Sequence, residues 1–395
     1  MRTRWVIIVA ITILVLWYLL SWVKEAVVET DNRVQSALKV FHDPLYDTMR
    51  ETVPTTYYNK YYKKDMDLNI CDFYWASSRK SYLPAGQSFD LTSLLAIQEV
   101  LRAGARLINL DVYPDTDARW DIKAIPVVRA STEMPLKGSS LDFRKCLETI
   151  RDHAWIDNKD YPLILYLEIH YNESKTDTDN PYLDTNVFLS TKIAEALYDI
   201  LGDRLLDKKY GFNGRNNMFP FGQIPIKETL GKVAIITNLY PTHGVLDELI
   251  NSGASPNQQI INVINYDEDY QNYGGISGKH IETQDLIDHN RQNLALVTNP
   301  GTLSFENLYD PKSDLYNPPI SDTNQFGCQF TLMNYQLLDA NMKEYLKFFK
   351  DTSLVLKPDD LRYIPRPPPP VKKQKVPNYY AMRNVKTPGW FSLNY

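Results

Sequence analysis

Asp111 and Glu168 are the carboxylates best placed for chemistry, because each falls near the end of a strand-like run, ARLINLDVYPD and YPLILYLEIHY. Carboxylates so placed, with Asn109 two residues before the first, offer hard oxygen donors that can hold a divalent ion. The other metal chemistries find no support. Cys71, Cys146 and Cys328 lie far apart, with neither zinc spacing nor a disulfide framework. The histidines at 42, 153, 170, 243, 280 and 289 form no HxxxH or HExxH pattern.

The elements that must position these acids are strands alternating with helices. The strand-like run AIPVVRAST lies between the two quoted above, and the helix-like SSLDFRKCLETIRDHAW follows it. Upstream, NICDFYWAS reads as a strand. LTSLLAIQEVLRAG reads as an amphipathic helix ending at Gly104. Downstream comes the long helix NVFLSTKIAEALYDILGDRLL, with Asn186 the expected N-cap. KVAIITNLY, NLALVTNP, CQFTLMNYQL and SLVLKP are strand-like, with the helix NMKEYLKFFKD between the last two. Residues 241–280, with SGASPNQQ and YGGISGK, read as a polar insertion or linker. Apolar runs alternating with helices point to parallel strands, in a barrel or a doubly wound sheet. Eight strand candidates suit a β/α barrel.

The ends of the chain have different compositions. The uncharged run 5–23, WVIIVAITILVLWYLLSWV, matches the ~20 residues that cross a bilayer as a helix. Trp5, Trp17, Tyr18 and Trp22 suit its interfaces. A cleaved signal peptide has a shorter apolar core, of about 7–15 residues, so 1–23 reads as a short leader and an uncleaved single-pass anchor. Arg2 and Arg4 precede the span, whereas Lys24 is followed by Glu25 and Glu29. The positive-inside rule then places the amino terminus in the cytosol and the body on the opposite face. Residues 24–70 read as a polar stalk. Its Val27, Val34, Leu38 and Phe41 line a helix that Pro44 ends, and its YYNKYYKK segment suits either a membrane interface or packing on the body. The arm 365–395 opens with PRPPPP and closes with aromatics, as a polyproline spacer that docks on a protein partner would. The 395 residues are 44% hydrophobic and carry a formal charge of -5, which suits a packed core and excludes a nucleic-acid magnet.

Across 71–364 the motifs resemble the eukaryotic phosphoinositide-specific phospholipases C. WASSRKSYL (75–83) is similar to that family's Ser-Ser-His-Asn-Thr-Tyr-Leu, RLINLDVYP (106–114) to its Val-Glu-Leu-Asp-Cys-Trp, and YPLILYLEIH (161–170) to its Tyr-Pro-Val-Ile-Leu-Ser-Leu-Glu-Asn-His. DHNRQNLALVTNPG (288–301), FGCQFTLMNYQ (326–336) and LVLKPDDLR (354–362) resemble its His-Asn box, its Gly-Cys-Gln strand and its Leu-Lys-Pro box. The resemblance implies a (β/α)8 TIM barrel of the phospholipase-C-like phosphodiesterase type. It has an X-like half at 71–240, a linker at 241–280 and a Y-like half at 281–364, behind an N-terminal transmembrane helix. Nothing in the chain resembles the lipid-binding or calcium-binding modules that usually flank this barrel.

The resemblance also implies a reaction. Two histidines move protons and Ca²⁺ supplies charge while the inositol 2-hydroxyl attacks phosphorus. The chain departs from that pattern. Arg79 stands at the first histidine position and Arg129, within a residue, at the second. Of the metal-ligand positions, Lys80 replaces an Asn and Asn109 a Glu, while Asp111 and Glu168 are kept. His170 is kept too, although that family position does not transfer the proton. The headgroup lysines fall near Ile236 or Thr237 and at Asn238, and the headgroup Arg and Tyr at Leu296 and Thr298. Arginine, charged at every working pH, cannot shuttle a proton.

These departures imply a membrane-anchored, catalytically inactive barrel that needs no cofactor. It would act as a scaffold or binding module linking a membrane to a protein partner, such as a viral or organellar coat. Two other readings stay open. One is a divergent phosphoric diester hydrolase, with Ca²⁺ on Asp111 and Glu168. The other is a non-catalytic binder that holds a phosphate or phosphoinositide headgroup with Arg79, Lys80 and Arg129. For the two acids, the expectation is that Arg79 and Arg129 pair with them and stand in the metal's place.

Overall fold

The computed structural model describes residues 32–51, 68–84, 91–115, 125–130, 140–157, 159–171, 185–211, 221–238, 244–253, 261–265, 283–298, 317–363, 384–386 and 392–394. The expected span at 5–23 lies outside them. Among the described residues no helix is long and apolar enough to cross a membrane.

Eight parallel strands follow one another in chain order around the sheet. They are β1 (Phe73–Ser78), β2 (Leu107–Pro114), β5 (Leu163–Ile169), β6 (Val233–Thr237), β7 (Ser252–Gly253), β8 (Ile261–Asn265), β9 (Leu294–Thr298) and β10 (Phe330–Met333). The hydrogen-bonded path runs β7-β6-β5-β2-β1-β10-β9-β8, so the first strand pairs with the last of the series, as a β/α barrel requires. β1, β2 and β6 are buried along their whole length. Burial on both faces is why such strands read as near-continuous apolar runs rather than alternating ones.

Two runs that read as strands lie off the barrel. AIPVVRAST supplies β3 (Pro126–Val128), which pairs antiparallel with the end of β2 and with β4 (Leu141–Asp142). SLVLKP supplies β11 (Leu354–Leu356), antiparallel to β1 with Phe73 opposite Leu356. Barrel strands β7 and β8 come instead from 241–280, the stretch that reads as a linker.

The helices are set by their caps and apolar stripes. α3 (Leu94–Arg102) starts where the Ser93 side chain accepts from Leu95 N. It ends before Gly104, whose φ of 93° needs a residue without a Cβ. α4 (Phe143–His153) is capped by Asp142 and buries Phe143, Cys146, Leu147 and Ile150, three or four residues apart. α5 (Thr185–Leu201) begins one residue before Asn186, so Asn186 lies inside its first turn rather than at the cap. α3 packs on α4, and α4 on α5. α6 (Thr283–Asn290) and α7 (Ile320–Gln325) precede β9 and β10. α8 (Ala340–Phe348) is capped by Asp339.

Part of the expected stalk is barrel surface. Residues 32–38 are helical (α1), a 3₁₀ turn spans Lys39–His42, and Pro44 opens α2 (Pro44–Glu51) instead of only closing a helix. A proline suits the first helical position because its missing N–H would be unpaired there anyway. Val34, Leu38, Phe41 and Tyr46 are buried in the main core cluster, α2 packs on α8, and the Tyr46 hydroxyl donates to Tyr335 O.

The far end clasps the start of β1. Asp72 accepts from Asn69 N and Tyr363 N, each at 2.7 Å, and its carbonyl accepts from Lys357 N at 2.9 Å. The Lys357 side chain is fully buried and donates to Asn290 O and Gly327 O. Residues 364–395 form a second unit, in which β12 (Asn384–Lys386) pairs antiparallel with β13 (Ser392–Asn394).

Candidate functional site

The carboxyl ends of β1, β2 and β5 bring the candidate residues together, at the face where barrels of this kind place their sites. Asp111 and Glu168 are register partners across β2 and β5. Asp111 is 2% exposed. The Tyr82 hydroxyl, from the turn after β1, lies 2.8 Å from Asp111 Oδ2 and 3.0 Å from Arg129 O. His170 Nε2 lies 3.2 Å from Asp111 Oδ1. The His170 ring is stacked on Tyr113, with centroids 4.1 Å apart. Asn109 Nδ2 donates to Glu168 Oε1 at 2.9 Å.

Lys80 occupies a strained turn. Its φ of 42° is the left-handed region, which costs a residue with a Cβ about 1–2 kcal/mol. Lys80 N donates to Asn109 Oδ1 at 2.9 Å, and Leu83 N donates to Lys80 O at 3.0 Å. The ammonium reaches Ala130 O, 3.5 Å away, just past the end of β3. One residue before it, Arg79 is buried.

The two acids are pushed apart electrostatically. Burial would raise Asp111. The Lys80 charge, the hydrogen bond and charge of His170 and the Tyr82 hydroxyl outweigh it, holding Asp111 below the ordinary carboxylate value. Burial and then the Asp111 charge raise Glu168 to about 7, against the opposing charges of Lys80, Arg79 and His170.

The expected ion pairs between Arg79 or Arg129 and these acids do not form among the described residues. The carboxylates are taken by Tyr82, His170 and Asn109 instead. The Arg129 guanidinium sits 4.9 Å from the Tyr113 ring centroid, a cation–π contact, and its Nε is buried without a hydrogen-bond partner. Tyr82 and the Asp111 contact of His170 were not readable as site features. They arise from β1 and β5 closing on β2, and a Tyr three residues after Arg79 was the one local signal.

Of the headgroup positions of the resembling family, Asn238, Ile236 or Thr237, and Leu296 are structural here. Asn238 holds the end of β5, accepting from Ile169 N at 2.8 Å and donating to Ile169 O at 3.3 Å. Ile236 and Thr237 are buried, and Leu296 belongs to an apolar cluster with Trp75, Ile164, Ile236 and Phe330.

Ca²⁺ would need six to eight oxygens at about 2.3–2.6 Å. Among the described residues the mouth offers two carboxylates, an Asn109 amide engaged at both its ends, and a lysine ammonium. That set does not fit Ca²⁺. Asp111, Glu168 and His170 do place one donor atom each within 4.8 Å of one another, a mixed nitrogen and oxygen cluster.

Residues 66–227 match the family described as phosphatidylinositol-specific phospholipase C, X domain. This barrel is phospholipase-C-like. Phosphoinositide phospholipase C 7 of Arabidopsis thaliana is 31% identical over 148 residues, 38% of this chain and 21% of that protein. The human 1-phosphatidylinositol 4,5-bisphosphate phosphodiesterase eta-1 is 27% identical over 194 residues, 48% of this chain and 10% of that protein. The match thus spans about a fifth or less of those relatives' length. Among solved structures, S. officinalis PLC21 superposes with a TM-score of 0.56 at 18% identity, over 76% of this chain and 38% of that one. L. pealei PLC21 does so at 0.55 and 18%, over 75% and 38%. These two carry the fold. The phospholipase-C-like barrel keeps Asp111 and Glu168 at its mouth and surrounds them with partners of its own.

Proposed function

We propose that this chain is a non-catalytic phospholipase-C-like barrel, tethered to a membrane through residues 5–23. It works as a binding module or scaffold between that membrane and a protein partner held by the arm 365–395. The observation that carries the reading is the pair of arginines at the positions where the resemblance expects proton-transfer histidines. Arginine is charged at every working pH and cannot shuttle a proton. The test is hydrolysis by the full-length chain in detergent, on vesicles of phosphatidylinositol and of its bisphosphate, with Ca²⁺ and with a chelator. No release of inositol phosphate is expected under either condition. Calcium-stimulated release would return the chain to metal-dependent diester hydrolysis.

A second reading shares the same mouth. Arg79, Lys80 and Arg129 bring three cations beside two acids, one of which, Glu168, is raised to about 7. That surplus favours a phosphate or phosphoinositide headgroup as a non-catalytic ligand. Retention on bisphosphate-containing vesicles, lost in Arg79→Ala with Arg129→Ala, is the expected sign. Equal retention on neutral vesicles would leave the scaffold reading alone.

A further inference from the structure

The carboxyl end of α6 lies at the floor of the barrel, the face opposite the mouth, because the chain turns there into β9. In that turn His289 O accepts from Gln292 N at 3.0 Å and from Asn293 N at 2.8 Å. The two residues after His289 hold the floor together. The Asn290 carbonyl accepts from Gln329 Nε2 at 2.7 Å and from Lys357 Nζ at 3.3 Å, and Asn290 Nδ2 donates to Phe326 O at 2.9 Å. Arg291 Nε donates to Asp360 O at 2.7 Å. Lys357 and Asp360 belong to 354–363, so this one turn fastens the last stretch of the barrel to its floor.

The His289 ring sits among groups that suit only its neutral form. Nδ1 lies 3.4 Å from Asn293 Nδ2, an amide donor. Nε2 is buried with no hydrogen-bond partner among the described residues. An imidazolium carries a donor on each nitrogen. Here one would point at another donor and the other would go without a partner, which is costly in a buried place. Burial holds the ring's proton affinity below its ordinary value, against the Leu294 backbone, which favours the proton. The titratable groups of the neighbouring elements are Asp285 and Asp288 of α6, Arg291, Asp322 of α7, Cys328 and Lys357. None of them shifts the ring, and Asp288 is paired with Arg291.

We propose that His289 is an acid-sensitive latch on the barrel floor: a proton taken up by its ring opens the last turn of α6 and frees the segment 354–363, which leads into residues 364–395. To reach water the charged ring must swing away from Asn293, and the His289 carbonyl holds the turn into β9. Movement of that turn carries Asn290 and Arg291 with it. The Lys357 ammonium, fully buried, would then be left with Gly327 O. A buried charge short of acceptors is costly, so the opening spreads from α6 to the end of β11. The sign follows from linkage. The fold holds this proton less tightly than the unfolded chain does, so the stability contributed is whole above 6.5 and is lost as pH falls below it. Glu168 at the mouth has the opposite sign, so the floor must be read locally.

The experiment follows amide hydrogen exchange of the full-length chain in detergent from pH ~7.5 to ~5, with rates corrected for the intrinsic effect of pH on exchange. The floor amides of Asn293, Lys357 and Leu361 are bonded to His289 O, Asp72 O and Pro358 O. They should lose protection as pH falls below 6.5, by up to about tenfold per pH unit. The amide of Ala154, bonded to Ile150 O at the end of α4, should keep its protection. His289→Gln keeps an uncharged polar side chain and should hold the floor amides at one level of protection across the range. Should that variant fail to fold, the wild-type ring decides. Its titration by NMR should lie below 6.5, and the loss of protection should track it. Floor protection that stays constant with pH in the wild type overturns the proposal. So does an acid loss of protection that persists in folded His289→Gln, and so does a His289 ring that titrates at or above 6.5.

Discussion

Glu168 should make stability depend on pH. Burial and the Asp111 charge raise its folded-state value to about 7 from an ordinary 4.5. The folded chain therefore holds this proton more tightly than the unfolded chain does. Its contribution is fully present below 4.5 and is lost as pH rises through 7. Urea midpoints between those limits should fall with rising pH in the wild type and flatten in Glu168→Gln. An unchanged slope would show that the acid titrates at its ordinary value in the fold. At this scale the sequence was informative about identity and poor on partnership. Asp111, Glu168, Lys80 and Asn109 were legible because they sit at strand ends inside recognisable motifs. The bonds from Tyr82, His170 and Asn109 were not, because each depends on which strand closes on which. Charge alone suggested arginine as the acids' partner, whereas shorter, nearer groups took the hydrogen bonds.

Elements tell a similar story. Residues 32–51 read as stalk, yet Phe41 is 0% exposed within the main core. Phe41→Ala should therefore destabilise the barrel by about 3–5 kcal/mol, the usual cost of emptying an aromatic core position. A free stalk would register nothing, so chemical denaturation decides between the two. The strand count was right for a partly wrong reason. AIPVVRAST and SLVLKP are apolar enough to look like barrel strands, yet one is a hairpin on β2 and the other an antiparallel cover on β1. β7 is only Ser252–Gly253, and β8 lies in a polar stretch. A two-residue strand carries no periodicity to detect, the polar flanks of β8 read as linker, and the place of both is fixed by neighbours distant in sequence.

For the whole molecule, the expectation that remains to be measured is attachment. If 5–23 spans a bilayer, the full-length chain should stay with membranes through alkaline carbonate, and protease added from the barrel side should digest everything beyond the span. Release by carbonate would remove the anchor from the reading. The same expectation gives the two ends of the described barrel, residues 32 and 363, a mechanical meaning. Tension arriving from residue 32 is taken up where α2 lies on α8 and Tyr46 meets Tyr335. Tension arriving from residue 363 is taken up at Asp72 and along β11 against β1. Both loads fall on the last repeat of the barrel and on its first strand. β2 and β5, which carry Asp111 and Glu168, lie outside that path. A pull between two attachments would therefore reach the mouth through the turn after β1, where Lys80 N meets Asn109 and the Tyr82 hydroxyl meets Asp111.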